Sequence, residues 1–211
     1  MDSEQANGFP ADLEVSGVTI HATNFNELVI EDRNFYDCHI DNCAFQDCAF
    51  YHCHFHDCSF EQCDLSLIKL DGSSFHNTRF HKSRLVGIDW GKLDWQRKSI
   101  KPPFHFDQCN LSYNSFFGCP LTGCQLKECV IKEADFAEAD LSDVSFRGCE
   151  LSRTRFFHTN LTGTDLRDAQ NYDIKADVNT LHKTRLSLPE AITLLYNLDI
   201  ILDEGMEDQK S

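Results

Sequence analysis

The sequence predicts an all-β, four-sided solenoid: a quadrilateral β-helix ended by a short C-terminal helix. Three observations carry this. Large apolar residues recur at every fifth position from Ile20 to Ile100, and again, one residue out of phase, from Phe106 to Leu166; all thirty positions hold Phe, Leu, Ile or Trp. The position two before each centre is mostly small: Cys, Ala, Ser, Thr or Val. A step of five also suits neither common element. On a helix it turns the side chain by about 140°, and on a flat strand an odd step flips it to the other face. A chain that turns a corner every five residues keeps all these groups inside. Four such sides make a coil of about twenty residues, and coils about 4.8 Å apart give a rod of about 36 Å over residues 18–168.

Residues 1–16 show no repeat and are expected to form a flexible N-terminus. The β-helix is expected over 17–170, a capping and dimerisation segment over 171–203, and a flexible tail over 204–211. Side chains twenty residues apart should stack. Phe35, Phe55, Phe75 and Trp95 then share one side. If the phase slip adds one residue, Phe116, Phe136 and Phe156 continue that ladder, with rings close enough to stack offset.

Within the repeat, 38–65 is the densest stretch, with Cys at 38, 43, 48, 53, 58 and 63. All eleven cysteines of the chain lie two residues before an apolar centre. That is the place of a small buried hydrophobe, which free Cys resembles. No apolar run approaches the roughly 18 residues of a membrane helix, and the acidic start lacks the layout of a signal peptide. The reading is a cytoplasmic protein with reduced thiols.

The slip falls in 91–106, GKLDWQRKSIKPPFHF. Lys98 takes an inward slot, Phe104 is bulky for a small slot, and Pro102 and Pro103 remove two backbone donors. A bulge or projecting loop is expected near 91–105, with Lys92, Arg97 and Lys98 as candidate partner contacts. Arg33 is the other charged residue in an inward slot and should snorkel or pair. Beyond Leu166 the register ends. Ser187 can cap a helix, Pro189 suits its first turn, and Ala191, Leu194, Leu195 and Leu198 share a face. So short a helix gains little alone. It must cap the last coil or pair with another chain.

The net charge is −15, unevenly spread: residues 1–64 are net −12 and residues 65–101 net +5. Such a chain should not seek phosphate backbones, but it can meet a basic surface. Asp37 and Asp57 should share one outward column, and Asp41 and Glu61 another. Glu128, Glu133, Asp135, Glu138, Asp140 and Asp143 make a second acidic belt that winds round the rod. His56 and His76 should lie about one strand spacing apart. No phosphate loop, nucleophile motif or metal-ligand spacing is evident, so no enzyme activity, cofactor or metal is expected.

The repeats CAFQD, CAFYH, CSFEQ, ADFAE and ADLSD resemble the pentapeptide-repeat family. That resemblance implies a right-handed β-helix. The interior segments 63–90 and 106–141, with the ending SLPEAITLLYNLDIILDE, look like its topoisomerase-protection subgroup. This holds the Qnr-like quinolone-resistance proteins and the microcin and albicidin immunity proteins; the albicidin-immunity (AlbG) type is the most similar. The resemblance implies a homodimer joined at its C-terminus by Leu194, Leu195, Leu198, Ile200, Ile201 and Leu202. It implies binding to DNA gyrase or topoisomerase IV, shielding from a poison, and partial duplex mimicry. About 36 Å of duplex carries roughly 21 charges, so with a basic middle zone the chain is no uniform copy of DNA. The alternative is a scaffold or regulator whose partner is not a topoisomerase.

Overall fold

The computed structural model describes residues 9–10, 12–96 and 102–196. Every ladder is parallel, and in the first half each is offset by one coil. On the first side Val15, Phe35, Phe55 and Phe75 pair in turn. On the second, Ile20, Ile40, Phe60 and Phe80 do so. The third and fourth sides run as short bridges and strands, through Asn24, Ala44, Asp64 and Arg84 and through Val29, Ala49 and Lys69. Four ladders per coil make the expected square β-helix. Its core is the column of centres, with Phe45, Leu85, Phe116, Ile131 and Leu161 all fully buried.

The small slot has a polar purpose as well as a steric one. Its thiol or hydroxyl donates to a carbonyl of the preceding coil, as in Cys48 Sγ to Phe25 O at 2.9 Å, Ser73 Oγ to Phe50 O at 2.7 Å and Thr159 Oγ1 to Phe136 O at 2.8 Å. Residues that are small and carry one weak or moderate donor fit there, which is why Cys, Ser and Thr recur.

The corners explain much of the outward sequence. Each corner residue takes a positive φ, for example 51° at Asp37, 52° at Asp57 and 64° at Gly118. Asn, Asp and Gly tolerate this region best. The corner amide then bonds the next coil, as Asp37 N does to His56 O at 3.0 Å.

The phase slip is larger than one residue. Phe80 pairs with Phe60 above it but with Phe106 below it, so this coil spans 26 residues where the others span 20. The six additional residues lie between Trp95 and Phe104, since Asp94 N still bonds Ser73 O at 2.8 Å and Thr78 already pairs with Phe104. The aromatic ladder is shifted accordingly. Phe116 follows Trp90, not Trp95: those rings lie 5.6 Å apart and 6° from parallel. Phe136 and Phe156 continue below Phe116. The side of Phe35, Phe55 and Phe75 passes instead to Leu121 and Leu141, through the Pro120–Asp140 bridge. Phe104 does enter a small slot, buried, with its ring 4.9 Å from Trp90 and 6.1 Å from Trp95.

Both ends differ from expectation. Residues 14–16 already form a paired strand, with Val15 buried. Phe9 closes the first coil, packing edge-on against Phe25 at 5.0 Å and Phe35 at 5.8 Å. The N-terminal boundary at 16 is therefore too late. The coil also runs past residue 170. Thr180 and Arg185 bridge to Asn160 and Asp165, and Tyr172 and Ile174 are buried. A 3-10 turn, Glu190–Ile192, leads into a one-turn helix, Thr193–Tyr196. Ser187 does not cap it; its Oγ accepts from Asp168 N at 3.0 Å, tying the segment back to the rod.

Candidate interaction surfaces

The thiols offer no reactive centre. All eleven are free and buried. Burial pushes Cys48 and Cys53 up to about 11 and Cys58, Cys63, Cys119 and Cys124 up to about 12. In Cys109 the neighbouring thiol of Cys129 raises it further, with burial adding to the effect. A thiolate nucleophile or ligand needs the opposite environment. Among the described residues, no group of three His, Cys, Asp or Glu side chains could hold a metal ion. His56 and His76 do lie one rung apart, with rings stacked at 4.5 Å, and Tyr36 stacks on His56 at 5.1 Å.

The acidic columns form where the spacing places them, but most have structural work. Asp37 and Asp57 follow one corner, and Asn77 Nδ2 donates to Asp57 Oδ1. Asp143 lies further along that same corner and leans over Gly163, where an added Cβ would overlap its carboxylate. Asp41 and Glu61 are ladder neighbours, and His21 Nδ1 lies 2.6 Å from Asp41 Oδ2. Glu128, Glu133, Glu138 and Asp143 occupy four successive corners with φ of 52°, 54°, 59° and 56°. Glu128 accepts from Gln108 at 2.9 Å and Glu133 pairs with Arg153 at 3.3 Å. Asp135 and Asp140 lie just before their centres instead, where they accept from the backbone N of Ala137 and Ser142. Burial alone would raise Asp140, but donors from Ser142, Thr122 and Asn160 outweigh it and hold its carboxyl below the usual range. The Arg167 guanidinium does the same for Asp165.

Lys92 is exposed at the end of a 3-10 turn, Trp90–Lys92, and its carbonyl accepts from Gly72 N at 3.0 Å. Arg97 and Lys98 lie outside the described residues, as do Leu198, Ile200, Ile201 and Leu202. Of the expected seam, Leu194 packs on the core and Leu195 is 39% exposed. Arg33 is half-buried among the early coils.

Outward apolar residues were not singled out by the five-residue register. Tyr113, Phe117 and Phe157 are exposed, with Leu67 in the same corner column as Tyr113. Gly87 separates Leu67 from Tyr113, and Ala137 separates Phe117 from Phe157. The signal was present in the sequence as aromatic residues outside the inward positions. Large exposed aromatics are the residues that anchor protein–protein contacts.

No helix of the described residues is long and apolar enough to cross a membrane. The sequence matches the family described as "Pentapeptide repeat region" over residues 33–102 and 104–184. No curated protein matches it at a significant level. Two solved structures are similar over most of its length. Both are trypsin-treated variants of QnrB1, described as a plasmid-mediated fluoroquinolone resistance protein. Each is 24% identical and covers 90% of this chain and 98% of its own, with TM-scores of 0.67 and 0.68. At that identity the likeness establishes the fold.

Proposed function

The chain belongs to the pentapeptide-repeat family, and from that premise we propose that it acts by binding, shielding a bacterial type II topoisomerase, DNA gyrase or topoisomerase IV, from a poison. The observation that carries this reading is likeness along nearly the whole rod to a fluoroquinolone resistance protein. The acidic surface and the terminal segment agree with it. The mode of action is contact and not covalent chemistry, because the interior of the rod is filled by its apolar centres and the cysteines are buried beside them. Mimicry of duplex DNA is at most partial, since Glu133, Asp135, Asp165 and Asp168 are matched by arginines. In this reading the enzyme meets the acidic corners at Asp37, Asp57, Glu128, Glu138 and Asp143, the ladder acids Asp41 and Glu61, and the segment from Lys92 through the insertion. A second copy meets the C-terminal end at Leu195, where Leu188 is also 76% exposed.

A supercoiling assay tests the proposal, using purified gyrase and topoisomerase IV with quinolone, albicidin or a microcin-type poison. Albicidin is the first to try, on the resemblance of the interior and terminal segments to the albicidin-immunity type. Micromolar protein should bind the enzyme and restore supercoiling. Neither binding nor rescue with any of the three poisons would overturn it. Recovery of a different partner and no topoisomerase from the native cell would favour a scaffold.

A further inference from the structure

The fourth side of the rod ends on an unfinished rung. Its ladder joins Ser115 to Asp135 and Asp135 to Arg155, but among the described residues no bridge carries it on from Arg155 to Lys175. The neighbouring sides do continue, from Glu150 to Gln170 and from Asn160 to Thr180. Two consequences meet at Phe156. One coil earlier, the corresponding amide, Phe136 N, donates to Arg155 O at 2.9 Å, so this amide runs along the rod toward the next coil. Phe156 N has no such acceptor among the described residues, and a main-chain donor is a strong group that is seldom left unused. The aromatic ladder stops as well. Phe116, Phe136 and Phe156 stack in turn, but the residue twenty further on is Ala176. Phe156 is 6% exposed, more than any other apolar centre from Phe106 to Leu166.

The gap left by the missing rung is a cleft of about 300 Å³, lined by Arg153, Arg155, Phe156, Phe157, Lys175 and Val178, with Asp173 at its edge. Its walls are tied together. Asn179 Nδ2 donates to Phe156 O at 3.2 Å and to Lys175 O at 2.9 Å, and His158 N donates to Val178 O at 3.1 Å. Arg155 lies over the Phe157 ring at 5.4 Å, a cation–π contact that holds ring and guanidinium together. Arg153 and Arg155 each reach a carboxylate of the preceding coil, Glu133 at 3.3 Å and Asp135 at 3.1 Å, through one terminal nitrogen. Both side chains are more than half exposed, and a guanidinium has five donors, so each keeps others for a ligand. Lys175 is exposed on the opposite wall. An inorganic anion would leave the apolar surface bare. A purely apolar molecule would leave the amide and the cations without an acceptor.

We propose that this cleft binds a small aromatic carboxylate, with its ring against Phe156, Phe157 and Val178 and its carboxylate on Phe156 N, Arg155 and Lys175. Bonds from a guanidinium and an ammonium to a carboxylate are about twice as strong as neutral ones, and an added ring extends a ladder that already favours stacking. The site uses neither Leu188 nor Leu195, so it is compatible with two copies pairing at the C-terminal end. It does not depend on the topoisomerase reading.

The test titrates the full ¹⁵N-labelled chain with 2-naphthoate and, separately, with 2-naphthamide, which has the same shape without the charge. Naphthoate should give saturable amide shifts below about 2 mM, centred on Phe156, Phe157, Lys175 and Val178. The amide should bind about tenfold more weakly. Lys175→Glu should weaken naphthoate by about tenfold and leave 2-naphthamide unchanged, a split that a merely structural lysine would not produce. Phe157→Ala should weaken both probes, and circular dichroism checks that each variant stays folded. Shifts centred elsewhere on the rod, or none that saturate, would overturn the proposal. So would equal affinity for the two probes, or naphthoate binding that Lys175→Glu does not change.

Discussion

Trp90 and Phe116 stack at 5.6 Å and 6° from parallel although 26 residues separate them. Phe80 and Phe106, also 26 residues apart, stack at 5.1 Å across the same long coil, whereas pairs in other coils are 20 apart, as Phe35 and Phe55 are at 4.7 Å and 7°. The core therefore continues without a break past an insertion of six residues. Deleting 96–101 should return this coil to the ordinary length. The expected change is under about 1 kcal/mol, or roughly 2–4 °C in Tm for a chain of this size. If the insertion carries a partner contact, binding to the topoisomerase falls while the Tm holds. Calorimetry and a binding titration on the same sample separate the two effects, and a collapse of the Tm would mean that the insertion is part of the core.

The column below Trp90 should be among the costliest places to open a cavity. Phe136 is fully buried, with Phe116 4.6 Å above it and Phe156 5.7 Å below. Phe136→Ala removes both stacking contacts and leaves a void that the rigid ladders cannot close. The expected loss is about 3–5 kcal/mol, read from the urea midpoint. A loss under about 1 kcal/mol would show that neighbouring coils can collapse inward.

The small slot makes a second, opposite test. Cys58 is fully buried, and its thiol donates to Phe35 O at 3.5 Å and His56 O at 3.4 Å. Cys58→Ser keeps a donor of similar size and should cost about 1 kcal/mol or less. Cys58→Leu overfills the slot and should cost about 1–3 kcal/mol. Equal losses would mean that donor and volume are not what select the residue here.

The raised thiols give the protein an alkaline limit. A free thiol ionises near 8.5 in the unfolded chain, whereas burial holds Cys48 and Cys53 near 11 and Cys58, Cys63, Cys119 and Cys124 near 12. Between those values the unfolded state has lost protons that the folded state keeps. Stability is therefore fully present below about pH 8.5 and falls as pH rises through 9, 10 and 11. Urea midpoints across that range should decline steadily, and midpoints that stay level from about pH 8.5 to 11 would contradict the burial argument.

The legible part of the fold was the part set by periodicity. Phe45 and Cys48 face inward because each satisfies a five-residue register, and no knowledge of distant contacts is needed to place them. The place of the insertion was legible from Lys98, Pro102 and Pro103, but its length of six residues was not, because Trp95 and Ile100 both keep the five-residue phase while the chain leaves the coil between Trp95 and Phe104. Phe9 and Tyr172 were missed for a related reason. Each closes one end of the stack once, and a residue used once leaves no period to find. The acidic columns were placed correctly in space, yet Asp37, Asp57 and Asp143 sit at positive φ. A corner that favours Asp for backbone reasons makes the same pattern as a corner selected for binding, so charge alone did not separate structure from function.

Leu195 tests the pairing of two copies. It is 39% exposed on a helix of one turn whose neighbour Leu194 already packs on the core. One apolar face is thus divided: Leu194 closes the rod, and Leu195 is offered outward. An aspartate at 195 costs the monomer little, because the site is partly solvated. In a dimer seam the same carboxylate would be desolvated without a partner, which costs several kcal/mol. Leu195→Asp should therefore convert a dimer to a folded monomer, seen by light scattering after size exclusion at fixed protein concentration. Leu194→Asp should instead lower the Tm, since it buries the charge against the core of its own chain. A Leu195→Asp protein that remains dimeric would place the interface elsewhere on the rod, with the exposed side bearing Phe117 and Phe157 as the next surface to test.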